Sequence, residues 1–222
     1  MQKQTLIKKK NDPHDLPKRI SVFPLTGAIF FPKTTLPLNI FEKRYIQLVT
    51  DCMKEKKLFG MVQSKVNKDL KTDVYNIGCL GRIISFDETV DKRFIISLAG
   101  IIRFKIQEEL ETDKLYREFN VDYTDFINDL NLEKNEYKKL ENKSLIEKLK
   151  IFFHKKNYAI KFSELEKLDF DQMISTICMI SPFSSEEKQK LIETTNIEEK
   201  IKALDEIVNF GLLDNFNTKI IQ

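Results

Sequence analysis

Three prolines in one short stretch constrain this chain more than any other feature. Ile20–Tyr45 reads ISVFPLTGAIFFPKTTLPLNIFEKRY, and Pro24, Pro32 and Pro37 cut it into short apolar runs. Proline lacks a backbone N–H and fixes φ, so each one ends a strand or lies on a sheet edge. The segment is therefore expected to form a strand, a turn at Gly27, a second strand and then a helix from about Glu42. In that second strand the adjacent Phe30 and Phe31 would point to opposite faces.

The rest of the first half reads as β-structure around this one helix. Tyr45, Leu48, Val49, Cys52 and Met53 recur with helical spacing and define its buried face. Leu58–Val62, Arg82–Phe86 and Phe94–Leu98 are candidate strands, the last two joined by a polar hairpin loop from Asp87 to Arg93. Ile102, Phe104 and Ile106 alternate with polar residues, as do Phe119, Val121 and Tyr123. Short strands at this spacing suggest a compact sandwich or barrel; the expectation for 18–126 is a curved, mostly antiparallel sheet or pseudo-barrel.

The pattern changes after Phe126. Residues 128–144 are rich in Asn, Lys and Glu and read as a linker entering an exposed helical turn. Leu145, Ile146, Leu149, Phe152 and Phe153 then take helical spacing, and a second helical region runs through Met173 and Ile177 to a stop at Pro182. Ser184-Ser-Glu-Glu187 has capping-box spacing, and Thr195-Asn-Ile-Glu198 repeats it. Ile197, Ile201, Leu204, Ile207 and Val208 mark a final helix. Residues 127–222 are thus expected as a helical bundle. The fold class is α+β, with residues 1–17 as a flexible basic lead.

Composition narrows the function classes. The chain has 222 residues, with 37 basic and 34 acidic side chains. That near balance weighs against nucleic-acid binding, which usually shows a basic excess. No run approaches the ~18 apolar residues of a membrane span. Met1–Arg19 carries six basic and two acidic residues and lacks the apolar core of a signal peptide, so the expected location is the cytoplasm. Cys52, Cys79 and Cys178 form no C-x-x-C pair and fit buried, reduced thiols.

Searches for catalytic chemistry return nothing specific. No G-x-x-x-x-G-K-[ST] phosphate loop occurs; Gly78 and Gly81 have the wrong spacing and fit a tight turn between strands. No G-x-S-x-G elbow occurs, and Ser184 and Ser185 are accounted for by helix capping. His14 and His154 have no clustered partner ligands for zinc. The expectation is no enzyme activity, no cofactor and no metal.

The same residues carry a family resemblance. Phe23-Pro-Leu-Thr-Gly-Ala-Ile-Phe-Phe-Pro32 and Leu36-Pro-Leu-Asn-Ile-Phe-Glu-Lys-Arg-Tyr45 resemble the F-P-L-x-G-x-x-L-F-P and L-P-L-x-I-F-E-x-R-Y phrases of the N-terminal, substrate-binding domain of Lon proteases. The match is best to the bacterial group in which that domain stands alone, without ATPase or protease. Leu58–Gln63, Tyr75-Asn-Ile-Gly-Cys-Leu-Gly-Arg-Ile83, Phe94–Ile106 and Ser181-Pro-Phe-Ser-Ser-Glu-Glu-Lys-Gln-Lys-Leu191 extend the resemblance across 18–213. In that family the 94–106 stretch is read as two strands joined by a turn. Lys43 stands where the group often has proline.

The resemblance implies a PUA-like β-domain and a non-catalytic role in binding unfolded or extended polypeptide. The chain would serve as an adaptor or client-recognition factor beside a protease or chaperone system. The competing reading, from the PUA-like architecture, is an RNA-binding module; phosphate-dominated binding would fall steeply with salt. The expected client groove holds one exposed member of the Phe30–Phe31 pair, with Arg44, Tyr45 and Arg93 beside it.

Overall fold

Pro24 ends the first strand and Pro37 sits in an edge strand, as their chemistry requires. The computed structural model describes residues 16–66, 72–131 and 142–217. Only Leu16 and Pro17 of the basic lead, and only the two ends of the expected 128–144 linker, fall among them. The β-elements are β1 (Arg19–Pro24), β2 (Thr35–Ile40), β3 (Leu58–Val66), β4 (Thr72–Glu88), β5 (Phe94–Leu110) and β6 (Arg117–Asp122). Helix α1 (Lys43–Lys54) lies between β2 and β3.

The sheet closes on itself. Strand order is β2-β5-β4-β3-β1-β6, and β5 also pairs with β6. Five strands therefore form a barrel, with β2 attached outside it along the first half of β5, from Thr35↔Ala99 to Ile40↔Phe94. All pairings are antiparallel except β1 with β3. Ile20, Val22, Val62, Leu80, Ile102, Phe104 and Phe119, drawn from all five barrel strands, form one apolar cluster. The expected curved, mostly antiparallel sheet is present.

Several details differ from expectation. The 94–106 stretch contains no turn, because β5 runs unbroken for 17 residues. Gly78 and Gly81 lie inside β4 rather than at a turn between strands. A Cβ on Gly78 would come within 2.3 Å of the Met61 carbonyl oxygen, so glycine serves close strand approach there.

Beyond the barrel, a 3-10 segment (Thr124–Leu130) leads to the helices. These are α2 (Lys143–Lys155), α3 (Phe162–Leu165), α4 (Phe170–Ile180), α5 (Ser185–Glu193) and α6 (Ile197–Asn217). Among the described residues after 130 there is no strand. The Ser184 capping box forms as the spacing predicts. The second cap falls one residue later than expected: Asn196 Oδ1 accepts from Glu199 N at 2.9 Å, and Glu199 reaches back to Thr195. Asparagine is as good an acceptor as threonine at that position.

Strands and helices share a core. One cluster joins Phe59, Ile96 and Leu98 of the sheet and Leu48 of α1 to Phe153, Ile174, Leu191 and Leu204 of the helical half. Loop 25–34 lies within this junction. Lys33 N donates to Gly100 O, and Gly100 N to Thr34 O. A Cβ on Gly100 would sit 2.0 Å from the Phe31 carbonyl oxygen, so only glycine admits the loop there. From the helical side, Gln172 donates to Lys33 O and Lys188 to Gly27 O.

Charged groups are buried at the same junction. Arg103 of β5 makes a two-pronged bond to Asp129 at 2.9 and 2.8 Å and donates to the carbonyls of Ile192 and Thr194. Its guanidinium also lies 4.4 Å from the Phe126 ring centre. Lys200 of α6 is buried, 3.3 Å from Ser175 Oγ and 4.6 Å from the Phe31 ring centre. Burial, reinforced by Arg103, lowers the Lys200 ammonium from 10.5 to about 8.

This geometry makes two substitutions informative. Asp129→Ala leaves Arg103 buried and uncompensated, and chemical denaturation should show a loss of about 3 kcal/mol. Lys200→Met should behave differently. Between pH 8 and 10.5 the unfolded chain holds a proton on Lys200 that the folded chain has released, so this group's contribution to stability rises with pH. The Met variant should be more stable than the parent at pH 7 by about 1 kcal/mol. That advantage should shrink at pH 10; a pH-independent difference would contradict the assignment.

Candidate functional site

The expected groove does not form around the phenylalanine pair. Phe30 and Phe31 are 1% and 0% exposed. They lie in a loop rather than a strand, so no free second face exists. Phe30 packs where Gly81 and Leu98 leave room on the sheet, and Phe31 lies beneath Lys200. Both sides of the loop are covered, one by β-structure and the other by helices. Tyr45 is also core: its ring centre is 4.1 Å from that of Phe23, and burial raises its phenol pKa.

Arg44 and Arg93 do remain at the surface. Arg44 lies 4.5 Å over the Tyr45 ring and pairs with Glu42 at 2.9 Å. Arg93 pairs with Asp91 at 2.7 Å, and its guanidinium is 5.9 Å from the centre of the Phe41 ring. Phe41 is 61% exposed and directly follows β2. The end of β2 and the β4–β5 hairpin thus meet at one corner of the sheet.

Exposed apolar side chains lie on both faces of that corner: Phe86, opposite Ile96, shares the face of Phe94, while Ile95 points to the other face. Ile84 and Phe86 of β4, Val90 at the hairpin tip and Ile95 of β5 are all exposed. Phe86 stands 4.9 Å from Phe94, centre to centre, and Phe94 pairs in register with Ile40 beside Phe41. The tip is ordered by its own bonds: Thr89 N donates to Arg93 O at 2.9 Å, and Arg93 N to Thr89 Oγ1 at 3.1 Å. The Thr89 hydroxyl bonds Asp91, and this bond lowers the carboxyl pKa. Val90 is fully exposed on this braced turn. Beside it, β2 has a strand neighbour on one side only. An extended polypeptide could add along that edge and set apolar side chains on the corner.

Sequence reasoning missed Phe41, Ile84, Phe86 and Val90. A signal for Ile84 was present in the Ile83-Ile84 pair. In a genuine strand, adjacent apolar residues do point apart, and here a register shift between Ile83 and Ser85 accompanies the exposed Ile84.

A separate cleft of about 550 Å³ lies between β1, the end of α1 and the segment before β6. Several of its polar groups pair within it: Glu118 with Arg19 at 2.6 Å and Lys114 at 3.1 Å, and Tyr116 donates to Asp51. Cys52 lines it, but burial pushes that thiol up to about 12, so it stays protonated at neutral pH. Cys79 and Cys178 are likewise raised by burial, Cys178 to about 12. None of these thiols is an activated nucleophile. Among the described residues no group of three or more His, Cys, Asp or Glu is placed to hold a metal, and no helix is long and apolar enough to cross a membrane.

Comparison with known proteins places this geometry. Over 205 residues the chain is 26% identical to a Lon protease of Syntrophus aciditrophicus, covering 89% of this chain and 26% of that protein. A Lon protease of Desulfosudis oleivorans is 23% identical, with coverage of 89% and 24%. The chain thus spans about a quarter of the length of these relatives. Among solved structures, a Lon N-terminal domain protein from Xanthomonas campestris aligns with a TM-score of 0.59 at 18% identity, covering 84% of this chain and 96% of its own. The N-terminal domain of a Mycobacterium avium complex Lon protease aligns at 0.61 and 12% identity, with coverage of 86% and 98%. These two likenesses establish the fold. The profile of the ATP-dependent protease La (Lon) substrate-binding domain matches residues 19–209, and the chain belongs to that family.

Proposed function

We propose that this chain is a non-catalytic module that binds unfolded or extended protein segments at the sheet corner around Phe41, Val90 and Ile95. In the cell it would act as an adaptor or client-recognition factor beside a protease or chaperone system. The observation that carries this reading is the exposed apolar corner next to the open β2 edge, in a member of a substrate-binding family. Exposed apolar surface of this kind marks interaction sites. Arg93 and Arg44 border the corner, each paired with a carboxylate, so the apolar side chains would carry the contact. The near balance of basic and acidic residues gives no support to the RNA-binding alternative.

A direct test is binding of a labelled unfolded client, such as reduced casein, measured by fluorescence anisotropy. Phe41→Ala and Val90→Asp should each weaken binding roughly tenfold, the scale of an anchor at the centre of an interface. Both positions are exposed, so the thermal midpoint should move little. Affinity should also change only modestly between low and high salt, because apolar contact dominates. Unaltered affinity in both variants would show that clients bind elsewhere.

Purified chain should hydrolyse neither ATP nor casein. Its cysteines are held protonated by burial, and the sequence holds no phosphate loop. Turnover above a buffer control that persists through repeated purification would overturn the non-catalytic assignment.

A further inference from the structure

Between barrel and helices lies a half-open pocket of about 210 Å³ that the client-binding corner does not use. Its walls include Lys33 from the loop before β2, Arg103 and Asp129, Asp171 and Ser175 of α4, and Glu198 and Lys200 of α6. The charges in this wall are not all matched. Arg103 and Asp129 satisfy one another in a two-pronged pair. Lys200, 7% exposed, makes one side-chain hydrogen bond among the described residues, to Ser175, and lies over the Phe31 ring, although an ammonium has three donors. Asp171 Oδ1 is buried with no hydrogen-bond partner among the described residues. No ion pair joins Lys200 to Asp171, although both line the same space.

A donor and an acceptor, each with unused valence, thus share one polar pocket larger than a single water needs. Buried polar groups left unmatched are costly, and each one in a native fold calls for a partner. A simple anion would suit Lys200 but would meet the Asp171 carboxylate. A simple cation would suit Asp171 and Glu198 but would meet the Lys200 and Lys33 ammonium groups. A ligand carrying both charges a few bonds apart answers both groups at once.

We propose that this pocket binds a small zwitterion, a free α-amino acid, with its carboxylate on Lys200 and Ser175 and its ammonium on Asp171. Lys33 would strengthen the carboxylate side, and the Arg103–Asp129 pair would form a rigid, neutral wall. The low ammonium pKa of Lys200 fits a cation held without a carboxylate partner, and such a cation gains most when a ligand carboxylate arrives. The site joins β5, α4 and α6, so occupancy would tighten the junction on which the core depends.

Isothermal titration of the full chain at pH 7 tests this with glycine, L-alanine, L-serine and L-glutamine, alongside acetate and methylammonium as half-ligands. The expected result is saturable binding of at least one amino acid and neither half-ligand. Lys200→Met and Asp171→Asn should each weaken that binding tenfold or more while the circular dichroism spectrum stays that of the parent. A thermal midpoint that rises with amino-acid concentration in the parent, and not in either variant, would confirm the location. The proposal is overturned if no amino acid in the set binds saturably, if acetate binds as tightly as the amino acids, or if both variants bind like the parent.

Discussion

The two-pronged bond between Arg103 and Asp129 is the interaction on which this architecture turns. Arg103 lies on β5, the strand that pairs with β2, β4 and β6. Its guanidinium reaches Asp129 in the 3-10 segment and the carbonyls at the end of α5. One side chain thereby fixes the chain's exit from the barrel and the seat of the helices on it. A buried ion pair adds little net stability over an apolar substitute, but breaking it is expensive. Its contribution is to specify one arrangement: an apolar side chain at 103 would leave Asp129 with only the backbone N–H of residue 103 and would strip two helix-end carbonyls of their donor.

The barrel was legible where periodicity was clean. Tyr45, Leu48, Val49 and Cys52 marked the buried face of α1, and Glu42 preceded it as expected. Phe119 and Val121 marked β6, and the expected Asp87–Arg93 loop is a hairpin connection shortened to 89–93, because Asp87 and Glu88 pair within β4. Strand length was less legible, because β4 and β5 carry apolar and polar residues through bulges that break the period-2 alternation. The family's turn at 98–104 misled for the same reason: a glycine within a strand and a glycine at a turn look alike until the approaching backbone is known. Gly100 faces the loop at Phe31, which no local pattern records.

The candidate site was half legible. Arg44 and Arg93 lie at the surface as the expected groove required, but the phenylalanine pair does not. Adjacent phenylalanines must split between core and solvent only in a strand with one open face. Residues 28–31 form a loop covered on both sides, so Phe30 and Phe31 both enter the core. Phe41 was hidden in a motif, and its exposure follows from coming just after the last β2–β5 pair, Ile40↔Phe94. Lys200 and Asp171 gave no signal at all, since long-range burial of a helical lysine depends on tertiary packing. The molecule thus has two separate working regions. Exposed apolar side chains lie at one corner of the sheet, and a polar junction joins barrel and helices away from it.

Hydrogen exchange of the full chain, with and without a saturating unfolded client, tests the central claim most directly. Added protection is expected only in β2, Phe41 and the hairpin from Ile84 to Ile95, with the junction around Arg103 already protected in the free chain. Protection centred instead on the cleft beside Arg19, Asp51 and Glu118, with none at the hairpin, would contradict it.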